Sequence, residues 1–260
     1  MPVTLLLTAT ITPPSSGVPG ITRLEPGLRL RDYLTALEFY LRQPSDVIER
    51  IVFADNSASD VSAVRELADR LGAGKEVIVT SHQGLDYEPA LGRGYGEMRL
   101  LDTLVDDFAP LAGLPADTRV WKGTGRYMLV NIAACVRAAP ARYDLYCDLK
   151  NKPHHRFDMR FFSFTLAGYR RIFTGKYREM REERPSPDGP KFVALPEVQM
   201  REFVDPYLAA KDPAVIPRFR VEPWVDGVRA WDNVSYNKGK GLIKYAVRAG
   251  TRKFAPKVWI

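Results

Sequence analysis

The sequence predicts an α/β protein, one domain built on a mainly parallel central sheet. Three observations predict it. Short apolar runs of strand length recur in the first half of the chain, at residues 3–9 (VTLLLTA), 51–54 and 76–80. Stretches with helical spacing of apolar residues alternate with them. Polar residues gather just after the apolar runs, where parallel sheets bind their ligands. A strand covered on both faces reads as a continuous apolar run, and strands alternating with helices imply a parallel sheet with helices on both sides.

The elements follow in order. Residues 3–9 are a buried strand bounded by the Pro- and Gly-containing segment 10–20. Residues 31–42 are a helix with Leu34, Leu37, Tyr40 and Leu41 on its apolar side. A second strand at 51–54 runs into Asp55-Asn56-Ser57. Residues 60–71 have helical spacing, with Asp60 as N-cap. After a third strand at 76–80, residues 92–108 begin as a glycine-rich loop and become helical. A short strand at 120–121, a helix at 127–139 and strands at 144–148 and 160–164 come next, then a helix at 166–173. Residues 185–190 are a loop, 198–208 a helix, 216–236 a β-rich excursion, and 240–252 a basic amphipathic helix. The expected division is a domain over 1–237 and a basic tail over 238–260.

Composition excludes several classes. No apolar run approaches the roughly 20 residues of a membrane span, and the N-terminus lacks a charged secretory n-region. Cys135 and Cys147 have no CxxC partner, so neither a disulfide framework nor a zinc site is expected, and two buried thiols fit a cytoplasmic protein. The net charge of +7 and pI of 9.4 attract polyanions. From Lys238 onward the chain carries seven cations and no acid, with Leu242, Ile243, Val247 and Phe254 interleaved. Such a tail can lie on an anionic membrane surface, peripheral on its inner face, or pack through one side as a solvated helix.

Five segments could carry chemistry. Asp55-Asn56-Ser57-Ala58-Ser59-Asp60 offers a carboxylate at a strand end, for a base or ribose, or else an Asx turn with a helix cap. Gly92-Arg93-Gly94-Tyr95-Gly96 could let backbone amides and Arg93 approach a diphosphate at a helix start, or be an ordinary flexible loop. Lys122-Gly123-Thr124-Gly125-Arg126 places two cations, two glycines and a hydroxyl after a strand, a composition suited to phosphate, with a solvated turn as the bland reading. Asp144 to Lys150 contains acids four apart, and Asp158-Met159-Arg160 sets a carboxylate and a guanidinium on one side of the next strand. Glu197, after Pro196, opens a helix, where a first-turn acid also simply satisfies the helix dipole. His82 and the pair His154-His155 lack the spaced partners of a ligand set, and the stretch from Phe219 to Tyr236, with Trp224 and Trp231, could stack on a sugar or be a packed β region.

A first strand ending near Thr10, a helix, then strand–Asp–x–Ser–x–x–Asp resembles the opening of GT-A-type, Rossmann-like nucleotide-sugar glycosyltransferases of bacterial surface polysaccharide and lipopolysaccharide synthesis. The Lys-x-Thr-Gly-Arg-Tyr-like stretch at 122–127 is similar to such enzymes. The resemblance implies a nucleotide-sugar donor and a glycan or lipid-linked acceptor. It gives donor-binding roles to Thr10 and Asp55; together with the residue readings above, the expected donor site also takes in Asn56, Arg93, Gly94, Lys122, Thr124, Arg126, Asp148 and Arg160, and in an inverting mechanism Glu197 or Asp158 is the base for the acceptor hydroxyl. Metal-dependent members carry a DxD motif holding Mg²⁺ or Mn²⁺. Here that motif is absent, and Asp148 alone stands at the strand end as a metal ligand, with cations to neutralise the diphosphate instead. The rival readings are a nucleotidyltransferase acting on sugar phosphates, which calls for a basic phosphate loop right after the first strand, and a non-enzymatic nucleic-acid-binding protein. Nucleic acid is not the expected partner.

Overall fold

The computed structural model describes residues 2–14, 22–151, 155–186, 189–193, 195–230, 232–236, 240–255 and 258–259. Strand β1 (Val3–Ala9) is buried at every position. It lies between β2 (Ile48–Asp55) and β4 (Arg119–Thr124), parallel to both, and β2 pairs in parallel with β3 (Glu76–Ser81). Alternate residues of β1 enter different cores. Leu5 and Leu7 pack with Tyr33, Leu37, Tyr40, Phe53 and Trp121, while Leu6 packs with Val52, Leu101, Leu104, Val120 and Phe162. Helices α1 (Pro26–Leu41), α2 (Ser62–Leu71) and α5 (Ile132–Arg137) cover the first face. Helices α3 (Gly92–Asp102), α4 (Ala109–Ala112), α6 (Leu166–Ile172) and α7 (Pro196–Ala209) cover the second.

The remaining strands are β5 (Met128–Leu129), β6 (Leu145–Tyr146), β7 (Leu149–Lys150), β8 (Arg156–Phe157), β9 (Phe161–Thr165), β10 (Glu183–Ser186), β11 (Gly189–Val193), β12 (Val215–Ile216) and β13 (Val225–Asp226). Of these, β9, β6 and β12 extend the sheet beyond β4, and the others pair in separate two-stranded ribbons, β5 with β13, β7 with β8 and β10 with β11. The main sheet has the order β12-β6-β9-β4-β1-β2-β3, with β9 antiparallel to both its neighbours. The expected mainly parallel α/β sheet is therefore the observed one. A last helix, α8 (Lys240–Phe254), follows.

Several boundaries differ from the sequence expectation, each for a local reason. Helix α1 starts five residues early, because Glu25 caps it by accepting the Gly27 N–H at 2.7 Å and Pro26 fits the first turn. Asp60 accepts the Ser62 N–H at 2.9 Å from one residue before the cap position of α2. The glycine-rich segment is no loop, since α3 begins at Gly92 itself and widens into a π turn over Thr103–Asp107. The expected strand at 144–148 shrinks to the two residues of β6, and the next pair, β7, joins β8 in a separate ribbon. Of the expected loop at 185–190, residues 185–186 end β10 and 189–190 begin its antiparallel partner β11, while 187–188 lie outside the described residues.

Candidate functional site

The carboxyl ends of β1, β2 and β4 open onto a cavity of about 1270 Å³. Thr10 and Asn56 stand on its rim, with the Thr10 hydroxyl donating to Asn56 Oδ1 at 2.6 Å. The Thr10 backbone is fixed from behind. Its N–H donates to the Tyr33 hydroxyl at 2.9 Å, and its carbonyl accepts Arg29 Nε at 2.6 Å. Asp55 does not line the cavity. Its buried carboxylate accepts the Ile11 (2.8 Å), Ser57 (2.9 Å) and Ser59 (3.1 Å) N–H groups and the Ser57 and Ser81 hydroxyls. Five donors occupy the roughly four lone-pair sites of a carboxylate, so Asp55 holds the rim in shape instead of touching a ligand.

At the end of β4, Thr124 and Arg126 line the cavity and Lys122 does not. The Lys122 ammonium is fully buried. It donates to the Met159 carbonyl at 2.6 Å and Thr124 Oγ1 at 3.2 Å, and pairs with Glu97 at 2.5 Å. Glu97 also accepts the Thr8 hydroxyl at 2.9 Å. Lys122 is thus a strut between β4, β1 and α3. Arg126 donates through Nη2 to the Tyr127 hydroxyl at 2.8 Å, while its Nη1 is buried without a partner. From Arg126 a ladder of rings runs along the wall. Arg126 lies 4.8 Å from the Tyr127 ring, Tyr127 meets Tyr236 edge-on at 5.3 Å, and Arg160 lies 4.9 Å from Tyr236. Arg160 in turn grips Asp158 with Nε at 2.8 Å and with Nη2, and Lys150 Nζ reaches the same carboxylate at 2.9 Å. Burial alone would raise the Asp158 pKa, but Arg160 and Lys150 outweigh it and hold the carboxyl well below the usual range.

The glycines of α3 serve packing. Gly92 has φ +79°, and a Cβ there would fall 2.4 Å from the Glu182 side chain. At Gly94 it would fall 2.5 Å from Pro196 Cβ. The notches bring Glu182 and the start of α7 against the first turn of α3. Glu182 Oε1 accepts the Gly94 N–H at 3.2 Å, so Gly94 spends its amide on the protein's own carboxylate and does not line the cavity. Arg93 does line it, 3.6 Å from Glu182 and 3.7 Å from Glu197. Burial pushes the Glu182 pKa up despite Arg93. Glu197 presents Oε2, a buried atom without a hydrogen-bond partner.

Asp148 turns away from the cavity. Its carboxylate pairs with Arg252 of α8 at 2.9 Å, and Arg252 also holds Glu222. Among the described residues no three His, Cys, Asp or Glu side chains converge as a metal site. Asp148 and Glu222 converge on one point, but Arg252 Nη2 already occupies and neutralises it, and two acids without a third oxygen donor do not fit Mg²⁺ or Mn²⁺. His82 shares a hydrogen bond with Thr80 at 3.0 Å and packs against Phe108. His155 is exposed, while His154 and Trp231 lie outside the described residues. Trp224 lines the cavity and stacks on Tyr245 of α8 at 5.4 Å, with 28° between the rings.

The structure therefore brings Thr10, Asn56, Arg93, Thr124, Arg126, Asp158, Arg160 and Glu197 to one cavity. Lys150, one of the cations expected to neutralise the diphosphate, also lines it, while sequence reasoning missed Glu97, Arg156, Glu182, Glu222 and the inward side chains of α8. Glu182 sits in the run Arg-Glu-Glu-Arg, which reads as a solvated surface, and only the glycine notches it fills could have marked it as buried.

No family model matches the chain, and no curated protein matches it in sequence. Solved structures similar to it include the inositol-1-phosphate CTP transferase from T. maritima, at 12% identity over 79% of this chain and 82% of that one, with a TM-score of 0.39. A cytidylyltransferase from Leptospira borgpetersenii serovar Hardjo-bovis matches at 13% identity over 100% of this chain and 97% of that one, with a TM-score of 0.43. The WbbM bifunctional glycosyltransferase matches at 10% identity over 68% of this chain and 34% of that one, with a TM-score of 0.42. These proteins do not single out glycosyl transfer, and likenesses of this degree carry no residue roles.

Proposed function

We propose that the protein is a transferase that binds a nucleotide sugar in the strand-end cavity and moves its glycosyl group to a hydroxyl of a surface glycan or a lipid-linked acceptor. One observation carries the reading. Arg126 Nη1 is a buried, unpartnered donor on the wall of a cavity at the ends of parallel strands. A buried donor of this kind calls for an acceptor, and a diphosphate supplies one with charge. Thr10, Asn56 and Thr124 then face the nucleoside and phosphates. Glu197, through its unpartnered Oε2, takes the proton of the acceptor hydroxyl. The freed oxygen attacks the anomeric carbon, the bond to the diphosphate breaks, and the nucleoside diphosphate leaves with its charge met by Arg126. Glu197 suits this role better than Asp158, whose oxygens are committed to Lys150 and Arg160 and whose low pKa makes a poor base.

Nucleotidyl transfer is the rival. It calls for a basic loop directly after β1, and residues 10–22 contain no Lys or Arg. No described helix is long and apolar enough to cross a membrane. The exposed Leu242, Ile243, Val247 and Phe254 of a helix without acids support peripheral attachment to an anionic membrane surface.

The test is calorimetric titration of the protein with nucleoside diphosphates and nucleotide sugars. One nucleotide family is expected to bind, and Arg126→Ala is expected to weaken it about 10- to 100-fold, the loss of one or two hydrogen bonds to a charged group. Absence of binding at millimolar nucleotide, or an unchanged affinity in the variant, would sink the reading. Pyrophosphate release from a nucleoside triphosphate and a sugar 1-phosphate would move it to nucleotidyl transfer.

A further inference from the structure

A second group of cations stands on the cavity wall apart from Arg126. Lys150 and Arg156 are register partners across β7 and β8, and both line the cavity. Arg156 Nε is buried and has no partner. From the facing side, α8 contributes Lys244 and Arg248, one helical turn apart, and Arg248 lies close enough to Lys150 to oppose its charge. The acids nearby are already engaged. Asp158 is held by Lys150 and Arg160, while Asp148 and Glu222 are both held by Arg252. Six cations thus meet three carboxylates, and Arg156, Lys244 and Arg248 have no carboxylate partner among the described residues. The contact path from Arg126 to this group passes through Tyr127, Tyr236, Arg160, Asp158 and Lys150.

Lys150 is buried, Arg156 and Arg248 are half-buried, and Lys244 stands exposed beside them, and such an excess of charge withdrawn from water is unfavourable by itself. Like charges at close quarters repel, and a guanidinium nitrogen withdrawn from water without an acceptor costs free energy. An anion relieves both, and a phosphoryl group, with three acceptor oxygens and up to two charges, matches a forked Arg flanked by Lys and Arg. We propose that Arg156, Lys244, Arg248 and Lys150 form a second anion site that holds a phosphoryl group on the acceptor, separate from the donor diphosphate at Arg126. The assignment of this ligand as the acceptor rests on the transferase reading above. A soluble phosphorylated sugar and a phospholipid or polyprenyl phosphate headgroup share this chemistry. The helix that turns Lys244 and Arg248 inward also exposes Ile243, Val247 and Phe254 outward.

The experiment uses the full chain saturated with whichever nucleoside diphosphate binds it, titrated with sn-glycerol 3-phosphate. Binding is expected, and the double variant Arg156→Gln/Arg248→Gln is expected to weaken it at least about tenfold while nucleotide affinity changes less than about threefold. Arg156→Lys/Arg248→Lys, which keeps the charge, is expected to recover part of the loss and guards against misfolding of the Gln pair. The proposal is overturned if glycerol 3-phosphate does not bind, if it competes with the nucleotide, or if the Gln pair leaves its binding unchanged or weakens nucleotide equally. If no nucleotide binds but glycerol 3-phosphate does and the Gln pair loses it, the nucleotide reading falls and the anion site stands. Cosedimentation with phosphatidylcholine vesicles, with and without phosphatidic acid, separates the sources. Loss of the phosphatidic acid dependence in the Gln pair identifies a lipid headgroup, and its retention alongside lost glycerol 3-phosphate binding identifies a soluble phosphate.

Discussion

Replacing Asp158 by Asn tests whether the Lys150–Asp158–Arg160 triad is a buried charge cluster or a solvated one. The side chains of Lys150 and Asp158 are 9% and 10% exposed, so water contributes little. Oδ1 accepts Arg160 Nε at 2.8 Å, and the amide oxygen of Asn can keep that bond. Oδ2 accepts Lys150 Nζ at 2.9 Å and Arg160 Nη2. An amide nitrogen in that place would face two donors. Two charge-assisted bonds are lost, at about 1.5–3 kcal/mol each, which together match the about 3–5 kcal/mol that removing one partner of a buried pair costs in all. We expect Asp158→Asn to lower unfolding stability by about 3–5 kcal/mol at pH 7, read as a shift of the urea midpoint at constant slope. The pH dependence has a definite sign. The folded pKa of Asp158 lies below its unfolded value, so the triad's contribution is full above about pH 4 and is lost as pH falls through the folded pKa. The gap between protein and variant should therefore narrow in acid. A loss under about 1 kcal/mol at pH 7, the range of exposed ion pairs, would refute the reasoning.

Two further outcomes follow from the geometry. Glu197→Gln is expected to reduce kcat about 100-fold or more while donor affinity stays within about threefold, since the amide keeps the shape but cannot take a proton; a kcat within threefold of the original would remove Glu197 from the chemistry. A Cβ at Gly168 would lie 2.2 Å from the Asp144 carbonyl oxygen, a backbone obstacle that cannot swing aside, so Gly168→Ala should cost about 2–3 kcal/mol in denaturant unfolding, whereas Gly250, with nothing within 4 Å, should accept Ala with a gain of about 0.5–1 kcal/mol. Equal effects at the two glycines would contradict the packing described for α6.

The parallel core was legible because its strands are buried on both faces, and nothing but a continuous apolar run satisfies that condition. The place of the site followed from the same fact, since ligands meet such sheets at the carboxyl ends of the strands. What one sequence does not carry is the direction in which a polar side chain near a strand end points. Lys122 and Arg126 read alike in sequence, yet the first is a buried strut and the second a cavity wall. Asp55 and Asp148 were visible as strand-end acids, but Ile11, Ser81 and Arg252, which complete their hydrogen bonds, are neighbours that only the tertiary fold supplies. The cations of α8 looked like a solvated or membrane-facing set because periodicity reveals two faces without saying what each one meets.

Helix α8 supplies one side of the cavity with inward residues, Tyr245, Lys244 and Arg248, borne on a single segment of fifteen residues. The opposite side is made by strand ends held from behind by Asp55 and Lys122, which tie the sheet together without reaching the cavity. Substitution is therefore tolerated unequally around the same ligand. Changes at positions 244 and 248 alter what the pocket recognises without touching the hydrogen bonds that keep Thr10 and Asn56 in place. In a lineage of such proteins, or in a library built on this one, one wall is free to diversify while the other is constrained by folding, and new specificities should arise through the helix.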